Sequence, residues 1–348
     1  MKKYLAVCAA ATLCFSLVRA QEADEPGTGA ELTVVPRIDF GGSLPTGNGV
    51  SHKGDFNLGN SSLYSLFEGN LSDNLSFSVC NHWGSFALDD GSFDSQALKD
   101  LYRYTWHSDW TNWCDWAYLD YAAGAFNFTL GKQVMFLGGM EFEDYDYDCH
   151  LPLMSTLWTN FSPYQWGAAA GWTNSEENTT LALQIATSPY GERPFGSGLY
   201  SYGAKWTGEY GPVSNIWSVA AIDTGDGFYN LVSLGQTLQV NDDLGITLDW
   251  SNAVCDGDDF LLHGHSLYAS ANWAACEALD LRAKCGMEKL NGFSDKFFTA
   301  GCAAEWYPLS GSRDLRIHAN LAWRGISGTG AIYATVGAMY YLNLHIGK

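Results

Sequence analysis

Charge is scarce in this 348-residue chain, and what there is leans one way. Asp, Glu, Lys and Arg make up 16% of it, where ordinary soluble domains carry roughly 25%. Acids outnumber bases, 38 to 18. That balance repels a phosphate backbone and excludes nucleic acid as a partner. Beyond the first twenty residues no run of about 20 apolar residues exists, so no transmembrane helix is expected. The later cysteines (Cys80, Cys114, Cys149, Cys255, Cys276, Cys285, Cys302) have irregular spacing and no CxxC pair, which argues against zinc or a redox motif. Several of them read as small apolar strand residues, and a disulfide among them is the alternative. Nucleophile elbow, HExxH, P-loop and dinucleotide fingerprints are missing too. No catalytic residue, no metal and no cofactor is expected, and the chain reads as a non-enzyme.

The front end does carry a signal. MKKYLAVCAAATLCFSLVRA has Lys2 and Lys3, an apolar run, then Val18-Arg19-Ala20. This reads as a secretory signal peptide over residues 1–20, with 21–348 as the mature chain. Removing Lys2, Lys3 and Arg19 from the 18 bases leaves 15 against 38 acids, a net charge of −23.

Aromatics and glycine are abundant: 14 Trp, 19 Tyr and 38 Gly. Mean hydropathy is nonetheless near neutral, at −0.12. That mixture suits a transmembrane β-barrel, because only half of its strand residues face lipid. Leu279–Lys289 shows the pattern. Leu279, Leu281, Ala283, Cys285 and Met287 share one parity, and Asp280, Arg282, Lys284, Gly286 and Glu288 share the other. Successive strand side chains point to opposite faces, so one face is apolar and one charged. A soluble sandwich would turn the charges to water, whereas a barrel would turn the leucines to lipid. Sixteen such segments run from Leu32–Ser43 to Ala331–Leu344, with weak alternation in Asn215–Asp223 and Tyr229–Val240.

The connections break the tie. Those after even-numbered segments are mostly short, and the long ones (Leu44–Ser61, Gly84–Cys114, Met135–Gln165) all follow odd-numbered segments. Outer-membrane barrels sort their short periplasmic turns and long extracellular loops in this way. Trp250, Trp273, Trp306, Trp323 and Tyr340 close the apolar faces near segment ends, as interfacial girdles do. The expected fold is therefore all-β, a single antiparallel transmembrane barrel of about 16 strands in the bacterial outer membrane, in contact with its lipid. The alternative is a secreted soluble β-rich carbohydrate-binding protein or glycosidase, with Trp83, Trp106, Trp110 and Trp113 stacking on sugars. A third reading is an adhesin whose loops carry the activity.

One acidic cluster stands out, MEFEDYDYDCH, with Glu141, Glu143, Asp144, Asp146 and Asp148. Such oxygens suit calcium, but the spacing lacks the glycine and terminal glutamate of an EF-hand loop. The cluster lies in the third long loop, residues 135–165, which also carries Phe136, Leu137, Leu153 and Phe161. That apolar content is expected of a loop folded into the barrel mouth as a pore constriction, where the acids would face basic wall residues across a gap. A lid over the neighbouring loops is the alternative.

At this point the sequence resembles a known family. YLDYAAGAFNFTLGKQVMFLGGMEFEDYDYDCHLPLM (Tyr118–Met154), followed by PYQWGAAAGW (Pro163–Trp172), is similar to the segment after the fourth strand of bacterial porins of the phosphate-selective O/P type, found in Bacteroidetes-like bacteria. RIDFGG (Arg37–Gly42) resembles their first strand. The remainder agrees in strand rhythm and not in motif. The resemblance implies a sixteen-stranded, trimeric diffusion porin for small hydrophilic solutes or ions. The chain departs from it in ending LNLHIGK, where such barrels end on an aromatic.

By parity Arg37, Lys205, Arg282, Lys284, Arg316, His318 and Arg324 point into the lumen. A basic wall would favour anions such as phosphate. Asp39, Glu68, Asp120, Asp249, Asp280, Glu288 and Glu305 share that face, and pairing among these charges would merely fill a polar wall. Both readings stand on the sequence. The sixth segment, Trp166–Thr173, with small outward Ala168 and Ala170, is the candidate trimer surface.

Overall fold

The computed structural model describes residues 29–47, 54–58, 61–83, 114–144, 153–155, 163–191, 193–255, 262, 264–289, 296–326 and 328–346. The expected signal peptide, Asp146, Asp148, Cys149, Trp106, Trp110 and Trp113 lie outside these residues. Strand follows strand: β1 (Ala30–Thr46), β2 (Ser62–Ser72), β3 (Leu75–His82), β4 (Cys114–Ala123), β5 (Phe126–Val134), β6 (Tyr164–Thr173), β7 (Thr179–Thr187) and β8 (Tyr200–Tyr210). Then come β9 (Val213–Asp223), β10 (Phe228–Asn241), β11 (Leu244–Cys255), β12 (His265–Cys276), β13 (Leu279–Lys289), β14 (Phe297–Trp306), β15 (Leu315–Ile326) and β16 (Thr329–Tyr340). A short piece, Asp55–Asn57, extends β2 against β1, and Leu342–Ile346 extends β16 past Tyr341.

Each strand pairs antiparallel with its chain neighbours, and β1 pairs with β16 from Arg37↔Met339 to Thr46↔Gly330. The sheet thereby closes on itself as a 16-strand antiparallel barrel. Closure leaves no ladder edge open, which is what a sheet needs in a lipid phase with no water to satisfy its amides. The last expected segment, Ala331–Leu344, is interrupted at Tyr341, whose N–H donates to Asp314 O at 2.8 Å. That hydrogen bond takes the place of a ladder bond there.

Alternation places the apolar residues outside. On β13, Ala283 and Cys285 are exposed while Lys284 and Glu288 are buried. On β15, Ala319, Leu321 and Trp323 are exposed while Arg316, His318, Asn320, Ala322 and Arg324 are buried. On β11, Ile246 and Leu248 face out against Thr247, Asp249 and Ser251. Such a surface is inverted relative to a soluble domain, and Trp273, Trp306, Trp323 and Tyr340 stand exposed toward its rims.

The sorting of connections holds in outline with exceptions at both ends. Only two residues separate odd-numbered β15 from β16, and residues 307–314 make a longer connection after β14. Strands β9 and β10 alternate weakly because their inner face is apolar as well. Ala220, Ile222 and Leu231 point inward into a hydrophobic cluster with Met135, Leu137, Phe142, Leu153 and Met154 of the third connection. The barrel thus has a core inside it.

Candidate functional site

The third connection enters the barrel and follows its inner wall from strand to strand. The Phe136 N–H donates to Gln184 Oε1 on β7 at 2.8 Å, and Gln184 Nε2 returns a bond to Val134 O at 2.8 Å. On β8, a Cβ at Gly203 would sit 2.8 Å from Phe136 Cβ. On β9, Ser218 Oγ donates to Gly138 O at 2.8 Å. On β10, a Cβ at Gly235 would lie 2.3 Å from Met140 N. Asp249 Oδ2 of β11 accepts the Glu141 N–H at 2.6 Å. Further on, Leu153 packs on Gly301 of β14, where a Cβ would lie 2.5 Å from Leu153 Cδ2. Small or polar wall residues therefore stand where the segment's backbone runs closest. The connection includes a short helix, α1 (Met140–Asp144), too brief to leave a periodic signature.

Two ion pairs lock α1 to the wall. Glu141 Oε1 pairs with Lys284 Nζ of β13 and accepts the Ser155 N–H at 2.6 Å. Glu143 Oε1 pairs with Lys205 Nζ of β8. All four side chains are buried, at 6% exposure or less. Lys284 Nζ also lies 4.6 Å from the centroid of the Tyr268 ring, and the Tyr268 hydroxyl sits 3.1 Å from both Glu288 and Thr299. Glu141 and Glu143 thus touch their bases directly, and no gap separates these opposite charges. Asp144 ends the helix.

Four of the other lumen bases form two groups. Arg37 Nε lies 3.2 Å from Asp39 Oδ2, and His318 Nε2 lies 2.8 Å from Asp39 Oδ1, all three fully buried. Nearer the short-turn end, Arg282 Nε and Arg316 Nη1 each lie 3.7 Å from an oxygen of Glu305. Arg316 Nη2 also contacts Met339 Sδ at 2.7 Å. Arg324 is buried higher on β15.

Parity could not find Arg313, because it lies in the connection after β14. It pairs with Asp280 and stacks 3.6 Å above the centroid of the Tyr307 ring. The Tyr307 hydroxyl donates to Glu305 Oε2 at 2.6 Å. Burial, followed by the nearby Glu305 charge, pushes the Tyr307 phenol up to about 12, so it stays a neutral donor. Lys132 was equally hidden: it is buried and donates to Cys114 O at 2.7 Å. Among the described residues no group of three or more His, Cys, Asp or Glu is placed to hold a metal.

A closed sixteen-stranded antiparallel barrel with an apolar outer band and a connection folded inside it defines the class by its fold: transmembrane β-barrels. Solved structures of the same fold include the anion-selective porin from Comamonas acidovorans, at 11% identity and a TM-score of 0.57, covering 90% of this chain and 100% of that one. The outer membrane channel DcaP of Acinetobacter baumannii matches at 14% identity and 0.57, covering 90% and 98%. A mutant of the Rh. blastica porin matches at 13% identity and 0.55, covering 89% and 100%. No protein-family model matches the chain, and no curated protein matches it. The fold is that of bacterial outer-membrane barrels.

Proposed function

We propose that this protein is a passive diffusion porin for small hydrophilic solutes, with residues 135–165 as its constriction. The observation that carries this reading is the docked segment. A segment seated against the inner faces of β7 to β14 by two buried ion pairs narrows the lumen and holds a fixed shape while solute passes. Glu141 and Glu143 fasten it, and the wall supplies Lys205 and Lys284.

Selectivity on this reading is for anions, and phosphate is the solute that the resemblance to O/P-type porins favours. Support comes from the periplasmic mouth, where Arg282 and Arg316 share the one carboxylate of Glu305. Arg282 is 20% exposed, so its charge reaches the water path. A unit charge about 4 Å from an ion is worth about 1 kcal/mol in water. Arg282→Gln is therefore expected to lower the anion-to-cation permeability ratio about five-fold, read as a reversal potential in a salt gradient. An unchanged reversal potential would remove Arg282 from the selectivity account. The porin assembles as a trimer on this reading, through the outward Ala168 and Ala170 of β6, and the mass of the detergent-solubilised complex checks it.

A further inference from the structure

The barrel closes where β1 meets β16, and side chains there reach across three strands. His318 on β15 is level with Gly337 on β16, and Gly337 is level with Asp39 on β1. All three face inward. Asp39 Oδ1 and His318 Nε2 meet at 2.8 Å above the glycine between them. No room is left beneath this bond: a Cβ at Gly337 would lie 1.8 Å from Asp39 Oδ1 and 2.7 Å from His318 Nε2.

The surroundings single out the same position on β1. Pairing of β1 with β2 runs as far as Arg37↔Ser62 and resumes at Gly41↔Asn57. In that break the Ser61 hydroxyl takes over, accepting the Asp39 N–H at 3.1 Å and lying 3.4 Å from Asp39 O. Arg37, two residues earlier on the same face, holds the second carboxylate oxygen at 3.2 Å. Two rows up, the complementarity is reversed. Gly41 on β1 is level with Thr335 on β16, and a Cβ at Gly41 would lie 2.6 Å from Thr335 Oγ1.

We infer that the Asp39–His318 bridge over Gly337, with Gly41 opposite Thr335, is the key that sets the register in which the barrel closes. Backbone hydrogen bonds alone do not choose among registers two residues apart, because such a slip keeps every inward residue inward. Sliding β1 by two in either direction brings Asp39 level with Thr335 or Met339, whose side chains occupy the space that the bridge needs. Holes and knobs coincide in one register.

The test uses full-length protein with its native cysteines replaced by serine. Ile38 and Ala338 are level in the native register and face outward. The pair Ile38→Cys with Ala338→Cys reports that register, and Ile38→Cys with Val336→Cys or Tyr340→Cys reports the slipped ones. With Asp39 and His318 intact, oxidation is expected to link the native pair alone. Asp39→Ala is expected to admit the slipped links and to lower, by several degrees, the temperature at which the folded band converts to the unfolded one on a gel. Gly337→Ala is expected to do more, and Asp39→Ala together with Gly337→Ala to do less than Gly337→Ala alone, because removing the carboxylate frees space for the methyl. If Gly337→Ala yields no folded barrel, Asp39→Ala still decides. Native links alone and an unchanged conversion temperature in Asp39→Ala would overturn the inference.

Discussion

Lys284→Met is expected to enlarge the channel while leaving the barrel folded. The lysine is 1% exposed and its partner Glu141 4%, so no water can replace the ammonium at the carboxylate. Removing one member of a buried ion pair leaves a charge that costs about 3–5 kcal/mol. The third connection can avoid that cost by leaving the wall, whereas β13 cannot, since it is held by full ladders to β12 and β14. A penalty of this size shifts the docked-to-undocked ratio by more than about a hundred-fold. The expected reading is a larger single-channel conductance and entry of bulkier sugars in vesicle swelling. Glu141→Gln added to Lys284→Met is expected to recover most of the narrow channel, because the orphaned charge is gone. Equal conductance in wild type and Lys284→Met would mean that Glu141 does not hold the constriction.

Gly235→Ala is expected to reach the same wide state without touching a charge. The new methyl would lie 2.3 Å from Met140 N and 2.9 Å from both Gly139 Cα and Asp249 Oδ2. Two of those atoms belong to the backbone of the docked segment and cannot swing aside as a side-chain end could. The third belongs to the carboxylate that receives the Glu141 N–H. The methyl therefore forces the segment away from β10 and loosens its bond to β11 together. Small-to-large changes in packed interiors cost about 1–3 kcal/mol, so the conductance gain should approach that of Lys284→Met. The charge partner separates the two variants. Glu141→Gln should restore the narrow channel when added to Lys284→Met, where it removes the orphaned charge, but not when added to Gly235→Ala, where the methyl still meets the backbone at Met140. A Gly235→Ala channel of wild-type conductance would show that the segment has slack the geometry denies.

Much of the frame was legible in the sequence, because a barrel writes its two faces into alternate residues. Lys284 and Glu288 against Ala283 and Cys285 is that rule in four residues. The rule weakened on β9 and β10, where Ala220, Ile222 and Leu231 pack on the docked segment and make the inner face as apolar as the outer. It was silent on partners. Glu141 and Lys284 are 143 residues apart, and Asp39 and His318 are 279 apart. Nothing local marks either pair. The acidic cluster was visible as charge, but its contact pairing was not, since direct pairing or a facing gap depends on how deep the connection settles. Arg313 escaped notice because a turn has no parity to read. Gly235 and Gly337 looked like two more glycines in a glycine-rich chain, and their meaning appears once the neighbouring backbone or carboxylate lies across them.

The most direct measurement is single-channel conductance of the purified protein in planar bilayers, wild type beside Lys284→Met. Discrete steps, linear in voltage, are expected from wild type, and larger steps from the variant. Wild-type protein that inserts as a heat-modifiable barrel yet gives no conductance would contradict the porin reading.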